Sequence, residues 1–483
     1  MSARKLSKQS WSSQTAFILA AVGSAVGLGN IWKFPYITGE NGGGAFVLVY
    51  LACVLAIGIP VLISEIALGR MGGANPVQAM ANLAKENHAS KYWSLLGING
   101  VLAGILILSF YTVIAGWALA YFFESVMGQF NQITAPEVQT HFKQLLDSPA
   151  QLIFWHTLVI LYTIVVVAKG VKSGLEKAIN WMMPGLFLIL LVLLGYAATT
   201  GSFMQSVHFL FAPDFSKLTW QAVLIAMGHA FFTLSIGMGT MMVYGSYMKR
   251  EYSIVKAGIW IAFADTLVAL LAGLVIFSIV FANGLEPGSG PGLLFQTVPV
   301  AFGQMAGGWL FGSLFFLLVV MAALSSAISL IEPAVSWVEQ NWGIARTKAA
   351  WGLGFLCWLL GLGTVFSFNE WKDLHFLGDR TFFDTLDFIT ANIMLPLGGL
   401  MIAIFMGWTL NQKQRNAHLH LSPLWFNLFT TDLRYVASVA VIIVFVSNLV
   451  KGQHVWMLGV LTLAVYIAYV WQVRKLQSCR IAE

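Results

Sequence analysis

Apolar stretches of about 20 residues recur along most of this chain, and each is long enough for a helix to cross ~30 Å of hydrocarbon. This feature removes most folds at once. Lipid cannot satisfy backbone polar groups, so a spanning segment must be a helix or part of a closed barrel. Barrel strands run to ~10 residues with alternating polarity, and these stretches are longer and more continuous. Only 10% of the 483 residues are charged and 58% are hydrophobic, whereas soluble domains carry roughly 25% charged residues. The expected class is an all-α polytopic membrane protein.

Twelve spans are expected, over 15–37, 43–69, 94–127, 152–168, 177–199, 220–247, 254–283, 309–339, 349–367, 382–410, 433–450 and 455–473. The segment 291–306 is apolar and amphipathic but too short to span, and reads as an external helical lid. The 26 Lys and Arg set the orientation. External loops hold Lys143, Lys217, Lys372, Arg380 and Lys451, and Lys33 lies within the first span. All the others fall in the tails and in loops on the opposite side, which places both termini in the cytoplasm. The net charge of +6 mostly reflects this bias, so no nucleic-acid partner is expected. The residues before the first span show no cleavable signal pattern. Cys53, Cys357 and Cys479 suggest neither a disulfide framework nor a metal site.

Two spans carry a disturbance at their centre. The first reads Gly23-Ser-Ala-Val-Gly-Leu-Gly-Asn30, and the sixth Phe231-Phe-Thr-Leu-Ser-Ile-Gly-Met-Gly239. Each glycine weakens a helix by up to ~1 kcal/mol relative to Ala. Close helix packing is the alternative, since small-xxx-small spacing such as Gly23 to Gly27 serves it. The two segments, however, open two blocks of five spans. Paired Gly-interrupted spans at matching positions point to an inverted-repeat transporter. An unwound stretch frees carbonyls for a cation and leaves a half-helix N-terminus whose N–H groups favour a carboxylate.

The run Gly23 to Pro35 and the following Glu40-Asn-Gly-Gly-Gly-Ala-Phe46 resemble the signature of the neurotransmitter:sodium symporters. The resemblance continues through Phe231–Gly239, Ala322-Ala-Leu-Ser-Ser326 and Asp384-Thr-Leu-Asp-Phe388, and so covers spans 1–10 in order. Short loops and tails resemble the bacterial amino-acid transporter branch. The resemblance implies a 5+5 inverted-repeat fold with broken helices 1 and 6. Its parts are a tail over 1–14, a first repeat over 15–200, a second over 220–410, and spans 11–12 with the C-terminal tail over 411–483.

The resemblance also implies a ligand set. One sodium would take the Ala25 carbonyl, Asn30, Thr233, Asp265 and the substrate carboxylate. A second would take the carbonyls of Gly23, Val26 and Ala322 with Ser325 and Ser326. All are oxygen donors, as a hard cation requires. The substrate would meet Ala25, Leu28, Gly29, Tyr111, Phe232, Thr233 and Ser326, with Ile107, Ser235, Met238, Ser329 and Leu330 as pocket wall. Bland readings stand beside these. Ser325 or Ser326 can bond back to its own helix, Tyr111 can be a packed aromatic, and Asp265 can be a purely structural acid. A mid-span carboxylate is nevertheless expensive, by ~2.5–3.5 kcal/mol on insertion scales. Asp265 can supply the negative charge that animal members obtain from chloride, so chloride independence is expected.

The external gate of the family resembles an Arg–Asp pair closed by an aromatic. Here the counterparts are Lys33, Asp387 and Phe232, and lysine offers a point charge instead of a bidentate fork. His229 could add pH sensitivity or be a hydrogen-bonded packing residue. On the cytoplasmic side Trp11 resembles a latch, Lys8 takes the cation position beside Tyr247, and Gln340 stands where an acid is expected, next to Glu339. Glu65 and Glu332 read as helix-holding acids. Expected partners are a small amino-acid substrate, two sodium ions and the lipid bilayer of a bacterial inner membrane, with a homodimer allowed. The pocket contains no acid to pair with a basic side chain, and Gly237 and Gly239 flank Met238. A hydrophobic or aromatic α-amino acid therefore fits best. A sodium-dependent sensor or channel-like protein is the alternative, but no repeated polar face or soluble domain supports it, and no clustered catalytic residues suggest an enzyme.

Overall fold

The computed structural model describes residues 9–287, 292–449, 462, 464–468 and 470–471. Among these every regular element is helical, and extended pairing is confined to two isolated bridges. Among the described residues nine helices are long and apolar enough to cross a membrane, and the bent pair Gln14–Ala25 and Gly29–Glu40, taken as one span, makes a tenth. The sixth expected span is present as two short halves, Trp220–Thr233 and Thr240–Ser246. The eleventh starts about ten residues earlier than expected, at Pro423. The sequence there has a proline at the first helical turn, where its missing N–H costs nothing. Most of the twelfth, Lys8 and Cys479 lie outside the described residues.

The breaks have local causes. Span 1 ends its first half at Ala25, and Val26 turns to an extended ψ of 110°. The helix resumes after Leu28, and its two halves differ in direction by 51°. Between the halves of span 6 the backbone takes positive φ at Ser235 (53°), Gly237 (82°) and Gly239 (74°). A Cβ on Gly237 would sit 2.8 Å from the Leu395 carbonyl oxygen, so only glycine fits there. The freed Gly237 N–H donates to Glu65 Oε2 at 2.8 Å. This buried acid of span 2 thus supports the unwound stretch.

Spans 3 (Lys91–Val126) and 8 (Gly308–Trp342) form the best-buried scaffold. Glycines let neighbouring helices come close: a Cβ on Gly104 of span 3 would meet the Leu330 carbonyl at 2.5 Å. The expected lid is the short helix Leu293–Gly303. Its Phe295 stacks on Phe142 and meets Trp32, Trp117 and Tyr121 edge-on, which anchors it to spans 1 and 3. The connections between spans also hold short helices, including Pro76–Glu86 and Ala135–Leu146.

Candidate functional site

The two breaks face each other. Ser235 Oγ donates to the Ser24 carbonyl at 2.9 Å, and Asn30 Nδ2 reaches Thr233 Oγ1 at 3.1 Å. A cavity between them is lined by Ser24, Ala25, Gly27, Leu28, Gly29, Ile107, Tyr111, Phe232, Thr233, Ser235, Met238, Ser326 and Leu330. All the expected pocket residues are brought together except Ser329. That hydroxyl accepts from Ser24 at 2.8 Å and donates to the Ser326 carbonyl at 2.8 Å, one layer behind the wall. Ser24 and Gly27 were not anticipated as lining. Their positions inside the break were the available signal. A Cβ at Gly27 would lie 2.6 Å from Ser326 Oγ and 2.9 Å from Tyr111 Oη, so a side chain there would fill the cavity.

One cluster of buried oxygens lies beside the break of span 1. Asp265, fully buried in span 7 (Ile254–Ala282), accepts from Asn30 Nδ2 at 2.7 Å and from Thr233 Oγ1 at 2.9 Å. Asn30 Nδ2 also meets the Asp265 carbonyl at 3.0 Å, while its Oδ1 accepts from the Gly27 N–H at 3.0 Å. Tyr111 Oη accepts from the Leu28 N–H at 3.4 Å.

A second group joins spans 1 and 8. Ser326 Oγ lies 3.2 Å from the Val26 carbonyl and 3.3 Å from that of Ser24. Ser325 instead donates to the Ala322 carbonyl of its own helix at 3.0 Å, the back-bonding that Ser in a span commonly adopts. The Cβ of Ser325 is still within 3.4 Å of where a Gly23 side chain would begin, so the two helices touch at that level.

Phe232 separates the pocket from a wider cavity of about 310 Å³, because its ring lines both. Lys33 Nζ lies 4.6 Å from that ring's centroid. Among the described residues Lys33 makes no ion pair with Asp387. The expected carboxylate contact is therefore replaced by a cation–π contact with Phe232, which a point-charge ammonium can make without a fork. His229 also lines the outer cavity. It is packed against Phe34 and Tyr50, and neither ring nitrogen has a hydrogen-bond partner. The expected hydrogen-bonded histidine is thus replaced by a stacked one.

At the opposite end Trp11 is fully buried. Its backbone N–H donates to the Tyr247 carbonyl at 3.2 Å and its Nε1 to the Tyr244 carbonyl at 3.0 Å. Ser12 Oγ contacts Glu176 at the start of span 5 (Val171–Ala198). Tyr247 Oη donates to Glu332 Oε1 at 2.8 Å, and the other oxygen of Glu332 pairs with Arg346. Arg346 Nε donates to the Val167 carbonyl at 2.9 Å, and Glu339 lies 3.5 Å from Arg346. Gln340 accepts from the N–H of Asn75 at 2.7 Å, the residue whose side chain caps the loop helix Pro76–Glu86. Arg346 was missed. The signal was a lone arginine in a short loop just beyond two acids of span 8.

A cavity between two facing mid-span breaks, with a buried carboxylate hydrogen-bonded to both of them, is the equipment of a secondary transporter. The chain belongs to the sodium:neurotransmitter symporter family, whose profile matches residues 8–136 and 129–461. It is a multi-span membrane transporter and not an enzyme. Two relatives described as uncharacterized sodium-dependent transporters are 36% identical (Bacillus subtilis, 90% of this chain and 97% of the relative) and 32% identical (Haemophilus influenzae, 93% and 100%). The crystal structure of MhsT in complex with L-phenylalanine superposes with a TM-score of 0.84 at 41% identity, covering 91% of this chain and 99% of MhsT.

Proposed function

We propose that this chain is a sodium-coupled symporter that imports a hydrophobic or aromatic α-amino acid by alternating access, independently of chloride, with both termini in the cytoplasm. The observation that carries the reading is the cluster of Asp265, Thr233 and Asn30 against the break of span 1. Three oxygens (the carbonyl and Oδ1 of Asp265, and Thr233 Oγ1) converge on the two N–H bonds of Asn30 Nδ2. A sodium ion would be held by the same oxygens once Asn30 turns its own Oδ1 inward, with the Ala25 carbonyl and the substrate carboxylate completing the shell. The second sodium belongs between Gly23, Val26, Ala322, Ser325 and Ser326, where Ser326 already reaches across to span 1. There Ser325 would have to release its own helix to become a ligand.

The substrate's carboxylate would lie against the amides of Leu28 and Gly29 and the hydroxyl of Tyr111, and its amine against carbonyls near Ala25, Phe232 and Thr233. Its side chain would point to Ile107, Ser235, Met238 and Leu330. Among the described residues no titratable side chain other than Tyr111 lines this cavity, so a charged side chain would enter unpaired. The phenylalanine bound to MhsT supports an aromatic ligand. The two five-span repeats over 15–200 and 220–410 would move against each other, with Lys33, Phe232 and Asp387 closing the outside and Trp11, Lys8 and Tyr247 the inside.

The test is uptake of each proteinogenic amino acid into proteoliposomes, with sodium or potassium outside and with chloride or gluconate as the anion. Sodium-driven, saturable uptake of an apolar or aromatic amino acid is expected, at the same rate in gluconate. Uptake that ignored sodium would sink the symporter reading. A several-fold rise on adding chloride would remove the role given to Asp265.

A further inference from the structure

On the face that carries the Lys and Arg excess, three segments converge that have no part in the transport site. They are the end of span 2 (Gly44–Gly72), the turn between spans 6 and 7, and the helix Gln412–Leu419 between spans 10 and 11. Arg70 is the centre. It is only 8% exposed. Its guanidinium donates to the Tyr252 carbonyl at 2.6 Å and to the His418 carbonyl. Its Nε is buried without a partner. Both hydrogen-bond partners are neutral, so the charge itself is left unbalanced.

The neighbours add to that charge. Arg250 and His420 are exposed beside Arg70 and His418. Glu251, the acid in the same turn, lies 3.9 Å from Lys249 instead. Among the described residues no carboxylate forms an ion pair with Arg70, Arg250, His418 or His420. Burial, followed by the charges of Arg70 and Arg250 and by His420, pushes the His418 imidazole down to about 4. The molecule thus keeps one imidazole neutral beside two guanidiniums instead of supplying an acid. Buried charge is normally paired, and basic pockets between spans on the cytoplasmic side are where lipid phosphates bind.

We propose that Arg70, Arg250, His418 and His420 form a binding site for a phosphate group, supplied by the headgroup of an anionic lipid of the inner leaflet. Arg70, with its partnerless Nε, is the fixed base of the site. Arg250 and His420 are the exposed arms that a headgroup would draw in. Arginine suits this ligand because its planar fork matches two phosphate oxygens. The occupied site would tie together three loops that each follow an even-numbered span.

The test uses the full-length protein in phosphatidylcholine vesicles with and without phosphatidylglycerol, and native mass spectrometry of the lipid retained after extraction. The variant Arg250→Gln with His420→Gln alters exposed side chains outside the transport site, so sodium-dependent uptake serves as the folding control. Wild type is expected to retain phosphatidylglycerol, and the variant to retain it roughly five-fold less or weaker still. Lys172→Gln, an exposed change on another loop of the same face, should leave retention as in wild type. Equal retention by wild type and the double variant overturns the proposal, as does an equal loss in Lys172→Gln, which would mark diffuse attraction to the surface. A thermal-shift titration with inorganic phosphate at constant ionic strength separates the sources. Protection of wild type but not of the double variant by inorganic phosphate alone keeps the site and assigns it to a soluble anion.

Discussion

Single residues carry the chemistry, and two of them allow sharp tests. Asp265 receives hydrogen bonds from Asn30 and Thr233 inside a fully buried layer. Asp265→Asn keeps the shape and removes the charge. Hydrogen bonds to charged groups are worth about 1.5–3 kcal/mol, so the apparent affinity for sodium should fall at least roughly ten-fold, read as the sodium dependence of uptake. An unchanged sodium curve would make Asp265 merely structural. At Gly27 a single methyl would meet Ser326 and Tyr111 at under 3 Å. Gly27→Ala should therefore abolish substrate binding in a radioligand assay while the protein remains folded and monodisperse. These residues were largely legible in the sequence, because Asn30, Thr233 and Asp265 are polar groups in apolar spans with a familiar order. The contact that Lys33 makes was not legible. Whether an ammonium meets a carboxylate or a ring depends on a few ångströms of side-chain reach, and no pattern in the chain encodes that.

At the level of elements, the break in span 6 combines strain with support. Ser235 sits at φ 53° without being glycine, a conformation that costs about 1–2 kcal/mol. Its hydroxyl recovers part of that through the Ser24 carbonyl, a bond worth about 0.5–1.5 kcal/mol net. Ser235→Gly should therefore leave thermal stability near that of wild type, because relief of strain and loss of the bond offset each other. Ser235→Ala should lower it, because only the loss remains. The reverse ranking in thermal denaturation would show that the backbone there is not strained. The existence and place of both broken spans could be read from clustered glycines. The start of span 11 could not, because Pro423 reads equally as a loop breaker or as a first-turn helix residue until packing decides.

Across the whole molecule, a chain of buried contacts at the N-terminal end of span 1 runs from Trp11 through Tyr247 and Glu332 to Arg346 and the end of span 4. Removing one member of a buried pair costs about 3–5 kcal/mol, whereas replacing both with apolar groups is far milder. Arg346→Met should lower the melting temperature sharply, and adding Glu332→Leu should restore most of the loss. If the double variant were no better than the single one, the acid would be held by groups other than Arg346. The chain announced the acid, since Glu332 is a carboxylate in mid-span. It concealed the partner, since Arg346 counts in the sequence only as one more charge that orients a loop.

Asn30 has a role that extends past its own contacts. Its oxygen accepts from the Gly27 N–H while its nitrogen faces Asp265 and Thr233. A cation drawn to those acceptors must rotate the amide, and the same rotation sets a backbone donor loose beside the cavity. One half-turn of one side chain would thus convert the arrival of an ion into a site for an anion. Such a link is reciprocal, each ligand tightening the other by the same factor. Asn30→Ala should unlink them, leaving an amino-acid affinity that no longer responds to sodium concentration in equilibrium binding.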